Sequence, residues 1–222
     1  MKRGREEEKS PRNVQVSTTI NFVHGFLLFC VSVFADTDPD TNRSPVSTPH
    51  FPRYAKPCED AVSKQIAYEL QAFRLYRRIA YYFDRSDVAL PGFHKFFKRA
   101  SDEELGHADK LMDYQNKRGS KLPYENTCSI ISAKPSQQWN TVTEAMELAL
   151  EEKKKINKVL LDLVRKAEDN SDPHLADFIV SQYLTEHVDS IKQMADYVTI
   201  LKRVGSGLGE YMVDRQLEND TK

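Results

Sequence analysis

The chain has 222 residues, 40% of them hydrophobic, with 32 basic side chains against 33 acidic ones. That is enough apolar mass for one domain with a real core. The near-balance of charge excludes the basic excess that nucleic acid or an anionic membrane surface favours.

In chain order, the first segment is residues 1–35. Lys2, Arg3, Arg5, Lys9 and Arg12 precede an apolar run from Phe22 to Ala35. At about 14 residues, the run is shorter than the roughly 20 that a membrane-spanning helix needs. Val33 and Ala35 supply small residues before Asp36, as a signal-peptide cleavage site requires. The reading is a secretory signal cut after Ala35, which sends the chain into the secretory pathway or outside the cell. An unused leader would leave it cytoplasmic, and Glu6, Glu7 and Glu8 fit a signal poorly. Asn42-Arg43-Ser44 and Asn219-Asp220-Thr221 are glycosylation sequons. With Cys30 removed, Cys58 and Cys128 either form one disulfide or stay as free thiols.

Residues 36–57, with Pro39, Pro45, Pro49, Pro52 and Pro57, read as a disordered extension too polar to offset its ordering entropy. Helices are expected over 59–84, 91–118, 139–168 and 174–203, with a short fifth helix over 209–217 and a tail over 218–222. Gly119 and Gly205 act as stops, and Pro91 suits a first turn. The joints after the first and third helices are short. About 20 residues join the second to the third, which is the one-crossover connectivity of a ferritin-like four-helix bundle. The fold class is therefore all-α.

The apolar stripe of the first helix holds Ile66, Glu69, Phe73, Tyr76 and Ala80. That of the second holds Phe93, Phe97, Ala100, Glu104, His107, Leu111 and Tyr114. A buried carboxylate is costly unless it is paired or binds a metal. Glu104 and His107, at i and i+3, set a carboxylate beside an imidazole so that both face one ion. Glu69 adds a carboxylate from the neighbouring helix, and Tyr76 lies within reach to hydrogen-bond a ligand. Oxygen-rich ligation with imidazole suits iron better than a thiolate-loving metal. The metal-free alternative is a buried hydrogen-bonded cluster.

Residues 81–90, Glu103-Glu-Leu-Gly-His-Ala-Asp-Lys-Leu-Met112, Gln115-Asn-Lys-Arg-Gly119, Asp172-Pro-His-Leu175 and Gly207-Leu-Gly-Glu-Tyr211 resemble the ferritin family. The resemblance covers about residues 58–217. It implies a cage of 24 chains, of one kind or mixed with related ones, that takes up Fe²⁺, oxidises it with O₂ and stores ferric mineral. It implies a di-iron centre at Glu69, Tyr76, Glu104 and His107, with Glu103 on the route to the mineral.

Three positions depart from the family pattern. The stripe Val142, Met146, Ala149, Lys153, Ile156, Leu160, Leu163 carries Lys153 where the family has a metal-binding Glu. Glu152 is about 100° away around the helix and does not replace it. An ammonium there either ion-pairs with Glu104 or snorkels out of the core. On the fourth helix His187 stands where the family often has Gln, as a metal ligand or as a core histidine. At the expected iron channel, Asp177 matches one acidic position and Val180 replaces the other. The functional alternatives are therefore an active ferroxidase, a storage subunit silenced at its centre that relies on a partner chain, or a different di-iron bundle.

Overall fold

A computed structural model describes residues 55–120 and 138–220. The leader, the extension as far as residue 54, the crossover segment 121–137 with Cys128, and the Asn42 sequon lie outside these residues. The described residues form five helices: α1 (Lys56–Phe83), α2 (Pro91–Lys117), α3 (Val142–Asp169), α4 and α5 (Leu208–Asp220). The fourth, α4, is built from Pro173–Ile179, a π-helical turn Val180–Leu184, and Thr185–Val204. Among the described residues there is no strand, and no helix is long and apolar enough to cross a membrane.

The helix ends follow from local chemistry. Helix α1 begins earlier than expected, because Pro57 occupies its first turn instead of closing a linker. Helix α3 starts after Thr141, whose side chain accepts from the Glu144 backbone N–H at 3.1 Å, while Glu144 reaches back to the Asn140 N–H at 2.7 Å. Asp172 caps α4 by accepting from Leu175 N at 3.0 Å, and Arg118 holds the same carboxylate through two bonds of 3.1 and 2.8 Å. Helix α4 ends at Gly205, whose φ of 71° favours glycine.

The four long helices pack around one core. Contacts at one end join the start of α1 to the ends of α2 and α3. Gln115 donates to the Glu59 carbonyl at 2.9 Å, and the Cys58 thiol lies 3.6 Å from the Lys166 carbonyl. At the other end Trp139 packs edge-on against Tyr82 of α1. Helices α2 and α3 therefore run in the same direction, as one-crossover connectivity requires. At 28 residues, α1 spans about 42 Å.

The stripes read from the sequence are buried almost throughout, and only Phe73 sits half-buried at an edge. Phe83 stacks on Phe97, Phe96 meets Tyr197, and Tyr114 stacks on Phe178, which ties α2 to both α1 and α4. Helix α5 docks on the start of α2. There the Asp214 carboxylate accepts from Phe93 N at 3.0 Å, and a Cβ on Gly92 would lie 1.8 Å from the Asp214 carbonyl oxygen. The expectation of an uninterrupted fourth helix is corrected by the π turn. Leu175, Ile179, Tyr183 and His187 are all buried at successive spacings of four. An α-helix drifts about 40° per such step, and a wider turn absorbs that drift and keeps the four side chains on one face.

Candidate metal centre

One polar layer crosses the apolar core at mid-height. Helix α1 supplies Glu69, α2 supplies Glu104 and His107, α3 supplies Lys153 and α4 supplies His187; none of the five is more than 2% exposed. One ligand atom from each of Glu69, Glu104, His107 and His187 lies within 4.8 Å of the other three. These are residues that the stripes place on core faces, and the π turn leaves His187 on the core face of α4.

Lys153 does not snorkel. Its Nζ donates to Glu104 Oε1 at 2.7 Å inside the core. The other carboxylate oxygen of Glu104 faces His107 Nδ1 at 3.3 Å. Burial raises the pKa of the Glu104 carboxyl, but Lys153, His107 and a hydrogen bond from Glu69 outweigh it and hold the group far below the carboxylate range. Glu69 goes the opposite way. Burial and the facing Glu104 charge raise it well above that range, although Gln65 donates to its Oε1 at 2.6 Å. The two carboxyls are thus set to share a proton, as like charges in one buried site must.

The two imidazoles differ as sharply. Burial lowers the pKa of His107, but hydrogen bonds to Glu104 and to Glu186, whose carboxylate lies 3.0 Å from Nε2, raise it to about 9. His187 lies parallel within 33° at 5.6 Å between ring centroids, and neither of its ring nitrogens has a hydrogen-bond partner. Burial, with the Lys153 charge adding to it, pushes His187 down to about 3, so its imidazole is neutral at physiological pH.

Tyr76 is buried two turns along from Glu69 but does not bond a carboxylate. Its hydroxyl donates to the Ala149 carbonyl of α3 at 3.1 Å, so it ties α1 to α3. Tyr183 does the same between α4 and α2, donating to the His107 carbonyl at 3.0 Å. Glu152 is buried off the centre, on the α1–α3 seam, where it accepts from Gln71 at 3.2 Å and Lys155 at 2.8 Å. Glu103 is exposed and faces Arg99 at 3.6 Å. Asp177 is exposed on the first segment of α4, away from the centre, and Val180 beside it is 46% exposed.

The partners that sequence reasoning did not single out are Gln65 and Glu186. Gln65 sits one turn before Glu69, a spacing that was readable. Glu186 neighbours a stripe position and became a partner of His107 only through packing. A cavity of about 350 Å³ opens onto the centre between α2 and α4. Glu103, Glu104, Gly106, His107, Lys153 and Glu186 are among the residues lining it.

Residues 59–204 match the model of the ferritin-like domain. The chain is 48% identical to the soma ferritin of Lymnaea stagnalis over 163 residues, 73% of this chain and 91% of that protein. It is 47% identical to the ferritin-1 heavy chain of Schistosoma mansoni over 163 residues, 73% of this chain and 92% of the relative. It is 43% identical to the ferritin middle subunit of Aquarana catesbeiana over 165 residues, again 73% and 92% of the two chains.

Proposed function

The chain belongs to the ferritin family and stores iron, and from that premise we propose that it is a storage subunit with a weakened oxidation centre. Fe²⁺, the substrate, binds at Glu69, Glu104 and His107, while the Lys153 ammonium takes the place of a second cation. The observation that carries this reading is the 2.7 Å ion pair of Lys153 with Glu104, both about 1% exposed.

The chemistry follows from charge and electron count. Reducing O₂ proceeds most easily when electrons arrive in pairs, and a single Fe²⁺ supplies only one. An ammonium neutralises Glu104 as a metal would, but it has no electron to give. It also repels a cation brought next to it. Oxidation at such a centre is slow, and a related chain in the same cage supplies the faster step.

This chain's own groups manage the protons. Fe²⁺ displaces the proton held between Glu69 and Glu104 and the proton on His107. The exposed Glu103 and the half-buried Glu186, both lining the cavity, attract Fe²⁺ from solvent and pass it onward. Asp177 is the acidic residue proposed for the entry channel of the cage, where Val180 leaves the field weaker than two carboxylates would make it. A secretory route set by residues 1–35 is part of the same proposal.

The test is the initial rate of Fe²⁺ oxidation in air by assembled protein. Lys153→Glu should raise it on the order of tenfold, corresponding to about 1.4 kcal/mol of barrier. Glu104→Ala combined with His107→Ala should lower it to the rate without protein. An unchanged rate in Lys153→Glu would overturn the weakened-centre reading.

A further inference from the structure

Lys153 is bonded inside the core, yet it also borders an open space. Its Nζ donates to Glu104 Oε1 at 2.7 Å with only 1% of the side chain exposed, while the same residue lines the cavity between α2 and α4. Glu103 and Gly106 of α2 and Glu186 of α4 line that cavity with it. A lysine on this stripe either pairs in the core or extends toward solvent, and the cavity gives the second placement a destination.

We propose that Lys153 is a displaceable counter-ion, and that Glu186 is the positioning residue that receives its ammonium when Fe²⁺ binds Glu104. The inference rests on the weakened-centre reading, since a cation that must leave before iron takes full hold of Glu104 slows the centre without abolishing it.

Glu186 has the acceptor this exchange needs. Both of its oxygens lie 3.0 Å from His107 Nε2, and Oε2 takes the hydrogen bond. Oε1 is shielded from solvent and takes none, which leaves a buried acceptor open. The hydrogen bond from His107 is the main influence lowering the Glu186 carboxyl, and the charges of His107 and then Lys153 add to it. The ammonium therefore already acts on Glu186 from its place beside Glu104.

Room does not limit the movement. The cavity holds about 350 Å³, and an ammonium is close in size to a water, which needs roughly 10–15 Å³. A Cβ at Gly106 would meet nothing within 4 Å, so that wall stays clear. The lysine stem is a flexible four-carbon chain, so Nζ can swing without a shift of α3.

Charge supplies the drive in both directions. Fe²⁺ on Glu104 sets a double positive charge beside the ammonium, and the repulsion is strong where water is excluded. Fe²⁺ at His107 also displaces the imidazolium proton, so Glu186 loses its cationic partner as the ammonium is released. Without iron, Glu104 is buried and draws the ammonium back.

The experiment treats assembled protein with an amine-acetylating reagent, without oxygen, in the absence and presence of Fe²⁺. Peptide mass spectrometry reads the acetylation of Lys153 against that of its exposed neighbour Lys154. Lys153 should be protected in metal-free protein, and its relative labelling should rise several-fold with one Fe²⁺ per chain. Unchanged or lower labelling overturns the proposal, and this measurement needs no variant to fold. A double-mutant cycle then tests the seat. Glu186→Gln should weaken anaerobic Fe²⁺ binding by about tenfold in the unsubstituted background, and by much less in Lys153→Met, which has no ammonium to receive. Equal losses in the two backgrounds would mean that Glu186 acts only through His107, and would overturn its role here. The oxidation rate of Lys153→Glu tests the weakened-centre reading separately, so the failure of either can be told from the failure of the other.

Discussion

The two halves of the polar layer are built on opposite principles. The half on α1 and α2 holds Glu69, Glu104 and His107, anionic or proton-sharing groups that gather a cation. The half on α3 and α4 holds Lys153 and a neutral His187, one a cation in its own right and the other a bare donor. With Glu69 protonated, the ionised Glu104 and Glu186 face the protonated His107, which leaves one negative charge at this level of the core. The second compensates it without a metal, so the layer is electrostatically closed in the metal-free protein. Charge balance and redox competence are therefore separable, because an ammonium supplies the first and not the second.

The sharpest way to break this division is to remove the ammonium. Lys153→Ala leaves Glu104 with only His107 as counter-charge and should destabilise the metal-free protein by about 3–5 kcal/mol. The denaturant midpoint measures this, and adding Zn²⁺ should restore much of the loss. A neutral result would mean that Glu104 and Glu69 simply share the proton and need no cation.

The next effect is titration of the α2 half. His107 is raised to about 9 in the folded state from an ordinary 6.5. Its protonated form therefore stabilises the fold fully below about pH 6.5, and that contribution fades as pH climbs through 9. Up to about 3 kcal/mol should vanish across this window in metal-free protein, read from unfolding midpoints at several pH values. Metal affinity should move in the opposite sense and rise over the same range, since the ion must displace that proton.

The smallest effect concerns the seam between the halves. Tyr76→Phe removes the bond from α1 to the Ala149 carbonyl and should cost about 1 kcal/mol. It should leave the visible spectrum of bound Co²⁺ unchanged, because the hydroxyl donates to a backbone carbonyl and bonds none of the ligands. A shifted spectrum would return Tyr76 to the role expected of it as a partner of the ligands.

Much of this was readable because helical periodicity is a local property. Spacings of three and four identified the faces of α1, α2 and α3, and they placed Glu69, Glu104, His107 and Lys153 on buried stripes before any packing was known. The same rule did not anticipate the π turn, although the spacing of four repeated from Leu175 to His187 carried the signal. It gave no account of Glu186, whose role depends on which side chain lies across a helix interface, while Gln65, four residues before Glu69 on the same helix, was readable and was passed over. Nor could it separate a snorkelling Lys153 from an ion-paired one, since both are the same residue on the same face.

The sequence by itself determined that four amphipathic helices form, that one long connection must cross the bundle, and that charged groups interrupt the core at one height. These follow from residue spacing, breakers and the burial cost of charge, which act along the chain. Only the tertiary structure decided that Lys153 Nζ meets Glu104 Oε1, that Tyr76 spends its hydroxyl on a backbone carbonyl, and that His187 keeps both nitrogens open. Those outcomes depend on distances between helices far apart in sequence, where about an ångström separates a hydrogen bond from an unsatisfied atom.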